Sequence, residues 1–132
     1  MTTTTTQANL ADQPTLEQVL GGMSAALGGH LPGMVQVAAT AMPDMVFKHA
    51  QDSGFAMPKA GGALTEETRT LMLLAIALAT GSRCVEGLMG KTKVLNIEKA
   101  KILETVKIAR FSEATRVFHN AETVLAQLDT GQ

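Results

Sequence analysis

The fold turns on Leu64 to Asn96, LTEETRTLMLLAIALATGSRCVEGLMGKTKVLN. Thr65 carries the side chain of a helix N-cap. Glu66 and Glu67 follow in the first turn, where the positive end of a helix dipole favours carboxylates. From Leu71 to Ala79 every residue is apolar, so this helix is expected to be covered on all sides and to form the buried centre. Gly81 ends it, Ser82 can cap a following helix over Arg83 to Leu95, and Asn96 supplies a left-handed stop.

Upstream, Met1 to Pro14 is polar, threonine-rich and aperiodic, and reads as a disordered tail ahead of one domain over residues 15–132. Thr15 and Gln18 stand in capping-box spacing at the start of a first helix. Leu16, Val19, Leu20, Met23 and Leu27 form its stripe, and Gly28-Gly29 ends it. Pro32 opens a second helix through Met34, Val35, Val37 and Ala38. Pro43 starts a third, which Gly54 is expected to stop. Phe55 to Ala63, with Pro58, Gly61 and Gly62, reads as a loop.

Downstream, Ile97 to Arg110 repeats apolar residues at helical spacing. Ser112 is expected to cap a last helix in which Ala114, Val117, Phe118, Ala121, Val124, Leu125 and Leu128 recur in threes and fours. Such a stripe packs on a neighbour, in its own protomer or the next. No segment alternates with period two. The expected class is therefore all-α, with six or seven helices.

The totals bound the function. Apolar residues make up 45% of the 132, and the mean hydropathy of +0.14 is high for a small soluble chain, which favours a protomer that buries further surface in a homo-oligomer. A net charge of −1 gives no global field towards nucleic acid or membrane. Between Arg83 and Arg116 eight basic residues face four acidic ones, an excess that reads as a solvated helix face rather than an anion site. The longest apolar run, nine residues, falls well short of the roughly 20 that cross a bilayer. One cysteine excludes an intramolecular disulfide and a cysteine-rich zinc site, and it fits a reducing, cytoplasmic setting. No secretory signal pattern is visible at Met1 to Gln7.

Few residues can carry chemistry. Cys84 falls in the opening turn of a helix beside Arg83, where dipole and guanidinium both favour a thiolate. Against that, free cysteines are commonly buried and inert. Cys84, Gly87, Leu88 and Lys91 share a face, and the missing side chains at Gly87 and Gly90 either admit a closely packed helix or leave a small ligand pocket beside the thiol. His30, His49 and His119 form no metal-ligand spacing, so no metal is expected. His49 is the candidate acid or base. The glycine pairs follow no strand and the four phenylalanines are not interleaved with basic clusters, so neither a nucleotide cofactor nor nucleic acid is implied.

Residues 43–110 resemble the family of alkylhydroperoxidase D (AhpD) and carboxymuconolactone decarboxylase. The likeness rests on Leu64-Thr65-Glu66-Glu67 as the helix start, Leu71 to Gly81 as the apolar helix and its stop, and Arg83-Cys84 where the family keeps Cys-x-x-Cys-x-x-x-His. Asn96 stands at the closing glycine, Ile97 to Ile108 looks like the next helix, and Pro43 to Gly54 is similar upstream. The resemblance implies an orthogonal helical bundle assembling as a trimer, a dimer or a ring of six, with a glutamate and a histidine relaying protons to two cysteines. In one register Thr70 takes the place of that glutamate, Ser82 and Cys84 those of the cysteines, and Leu88 or Met89 that of the histidine. In the other, Cys84 is the first cysteine and Met72, Gly87 and Lys91 fill the remaining places. Only one of four groups survives either way.

A dithiol catalyst needs a resolving thiol and a route for the proton, so dithiol peroxidase or reductase chemistry within one protomer is excluded. Two expectations follow. One is a homo-oligomeric small-molecule-binding or structural protein of this fold, with Ser82, Thr70, Met72, Gly87, Leu88 and Lys91 around the pocket. The other is an enzyme. It would be either a single-cysteine thiol oxidoreductase using Cys84, or a decarboxylase-like acid–base catalyst using His49 on a small carboxylate.

Overall fold

The computed structural model describes residues 13–130. The proposed tail lies outside these, apart from Gln13 and Pro14, which precede the first helix. Seven helices are present among the described residues, and no strand: α1 Leu16–Ala26, α2 Gly33–Ala41, α3 Pro43–Ala56, α4 Glu66–Thr80, α5 Val85–Val94, α6 Lys99–Asn120 and α7 Glu122–Asp129. The all-α expectation is met. The chain divides between Ala63 and Leu64 into two compact units.

In the first unit α3 packs on both α1 and α2. Val35 of α2 and Val46 of α3 are its buried apolar residues among those described. The start of α1 is a complete capping box: the Gln18 N–H donates to the Thr15 hydroxyl at 3.2 Å, and the Thr15 N–H donates to the Gln18 side-chain oxygen at 2.9 Å. The expected stop at Gly54 is not there. Helix α3 runs through Gly54 to Ala56, and Met57 leaves helical geometry directly before Pro58. A single mid-helix glycine only weakens a helix, whereas proline disfavours helical backbone at the residue before it, so Pro58 sets the end.

In the second unit α4 packs on α5 and α6, and α6 meets α7. Thr65 caps α4 by accepting from the Thr68 N–H at 3.1 Å. Gly81, at φ +70°, closes it in the left-handed region, and Asn96 stops the end of α5 at φ +53°. Leu74, Ala77 and Leu88 form the buried core, with Leu73, Val85, Met89 and Ile102 packed around it.

Expectations for α6 and α4 fail in this unit. Ser112 caps nothing: α6 continues through it to Asn120, and the chain breaks at Ala121. No glycine or proline lies near Ser112 to force a break, and the Glu113–Arg116 pair at 2.7 Å supports the helix on its own surface. The apolar run of α4 is also not covered all round. Thr70, Leu74 and Ala77, spaced four and three apart, face the core, while Met72 and Ile76 are about half exposed.

Candidate functional site

The turn between α4 and α5 places the lone thiol. Gly81 closes α4, and the Ser82 hydroxyl oxygen accepts from the Cys84 N–H at 3.2 Å within the turn. The helix expected from Arg83 begins only at Val85, with Cys84 at its N-cap position and no side-chain cap, so Ser82 does not cap it. Arg83 and Cys84 are both exposed. The Leu88 N–H donates to the Cys84 carbonyl at 2.9 Å, which fixes Cys84 at the outer end of the face that Leu88 and Lys91 continue.

The residues expected to surround a pocket are separated by the helix geometry. Gly87 and Leu88 are buried, and Leu88 belongs to the core with Leu74 and Ala77. Thr70 is completely buried, and its hydroxyl donates to the Glu66 carbonyl of its own helix at 2.8 Å. Met72 lies two residues further along α4, hence on another side, and is exposed. Lys91 keeps most of its side chain covered and holds its ammonium 3.8 Å from the Glu66 carboxylate, a loose pair joining α5 to α4. His49 is exposed on α3, in the first unit.

The core therefore presents little reactive polarity. Thr92 donates its hydroxyl to the Met89 carbonyl at 2.6 Å, and Thr105 donates to the Lys101 carbonyl at 2.8 Å. With Thr70, the three buried threonines among the described residues spend their donor hydrogen on their own helix. This satisfies the hydroxyls without directing a donor into the space between helices. Among the described residues no three His, Cys, Asp or Glu side chains gather as metal ligands.

A groove does form between α4 and α6. Thr68, Leu71, Met72 and Ala75 of α4 and Lys101, Glu104, Thr105 and Ile108 of α6 line a shallow, mainly apolar trough of about 320 Å³. Each set repeats in threes and fours, which is the available signal, but a groove needs two such stripes side by side, and only the packing of α4 on α6 pairs them. At its edge Lys101 donates to Glu67 at 2.6 Å. That hydrogen bond, then the charge of Glu67, raises the Lys101 ammonium above its ordinary value of 10.5. The partners are 34 positions apart, beyond any local pattern.

One apolar face of α6 is left uncovered. Ile102, Thr105 and Ala109 turn inward, while Leu103, Lys107, Phe111, Ala114 and Phe118 recur four, four, three and four apart on the opposite side. Phe111 is 72% exposed and Phe118 74%. On α7, Val124, Leu125 and Leu128 are also exposed. Of the stripe expected to pack on a neighbour, Val117, Phe118, Val124, Leu125 and Leu128 are exposed among the described residues. No helix among the described residues is long and apolar enough to cross a membrane.

No protein-family model matches the chain, and no curated protein matches it.

Proposed function

We propose that this protein is a homo-oligomeric helical subunit, of AhpD-like descent but without dithiol chemistry, that serves as a structural or small-molecule-binding component. The observation that carries the reading is the outward face of α6, where Phe111 and Phe118 sit two turns apart and almost uncovered. Seven apolar residues are buried among those described, while nineteen large ones are exposed, an imbalance that oligomers relieve by burying such faces against another copy. A small apolar ligand would find its place in the α4–α6 trough, whose apolar lining is Leu71, Met72, Ala75 and Ile108. The single thiol suits a reducing compartment such as the cytoplasm.

The test is the mass in solution. Light scattering during gel filtration is expected to give a multiple of the 13.9 kDa chain mass that persists on dilution. A species that stays at one chain mass at every concentration overturns the assembly reading.

A second reading is kept alive by the exposure of Cys84. Its thiolate would attack a peroxide oxygen, releasing an alcohol or water and leaving a sulfenic acid, which an external thiol would reduce. Mass spectrometry after mild peroxide separates the two readings. Gain of one oxygen on Cys84, reversed by thiol, favours the second; an unchanged mass removes it.

A further inference from the structure

We draw no further inference here: the strongest candidate, the uncovered apolar face of α6 bearing Phe111 and Phe118, carries nothing beyond the self-association already proposed, because nothing in the structure shows what covers it.

Discussion

The ammonium of Lys101 lies 2.6 Å from a carboxylate oxygen of Glu67, so the first turn of α6 is tied to the first turn of α4. Both side chains remain substantially exposed, which keeps the contribution small and open to screening by salt. Its pH dependence has a definite sign. Folding raises the Lys101 ammonium above 10.5, so the stabilisation is fully present below that value and is lost as pH climbs through the higher folded value. Glu67→Gln is expected to lower the melting temperature slightly at neutral pH and low salt. The gap from wild type should narrow in high salt and again above the folded titration of Lys101, leaving the part due to Glu67 at the positive end of α4. A gap indifferent to both would mean that the pair does not act as an ion pair.

The core of the second unit rests on Leu74, which is 1% exposed against Ala77 and Leu88. Leu74→Ala is expected to cost about 2–5 kcal/mol in denaturant unfolding, the usual range for a buried leucine left as a cavity. Ile76→Ala, two residues along the same helix and 56% exposed, should cost under about 1 kcal/mol in the single chain. Equal losses at the two positions would show that the two sides of α4 have been assigned wrongly.

Thr70 gives a sharper test because it stands where one register of the family resemblance calls for a glutamate. Its hydroxyl donates to the Glu66 carbonyl of its own helix, so Thr70→Val, which keeps the shape, is expected to change stability by less than about 1 kcal/mol. Thr70→Glu would force a carboxylate into a fully buried position, at a cost of several kcal/mol. Equilibrium unfolding of both variants decides the matter. A glutamate accepted without loss would mean that water reaches this place.

Gly81 closes α4 at φ +70°, and a Cβ built there meets nothing within 4 Å. The expected penalty for Gly81→Ala is therefore conformational rather than steric, about 1 kcal/mol, with Gly81→Asn costing less. Asn96→Gly, at φ +53°, should be neutral or mildly stabilising by the same reasoning. If alanine at position 81 leaves the unfolding midpoint untouched, the left-handed closure is not what ends this helix.

These positions also show how far the sequence could be read. Signals confined to a few neighbouring residues were legible: the Thr15–Gln18 box, the Thr65 cap, and the left-handed stops at Gly81 and Asn96. Each is decided by bonds within one turn of chain. Signals that compete were not. Gly54 lost to Pro58 as the end of α3, and the capping potential of Ser112 lost to uninterrupted helix-forming neighbours. The candidate site was hardest, because which side of α4 meets α5 and which meets α6 is set by packing. Thr70 and Met72 thus read as neighbours in sequence and part company in space. The Glu67–Lys101 link is invisible for the same reason.

Assembly supplies the remaining prediction. Phe118 is 74% exposed and touches no part of the buried core cluster, so Phe118→Asp is expected to leave helicity by circular dichroism unchanged. In an oligomer that covers this face, the same change would bury an unpaired carboxylate and weaken association by several kcal/mol, enough to shift the mass towards one chain at micromolar concentration. Phe111→Ser, one turn-pair earlier on the same side, should weaken association less, since it removes contact without adding charge. Lys59→Asp, on the exposed loop after α3, serves as a charge control. An oligomer whose mass survives Phe118→Asp and Phe111→Ser together would have to be built on surfaces other than the outward side of α6.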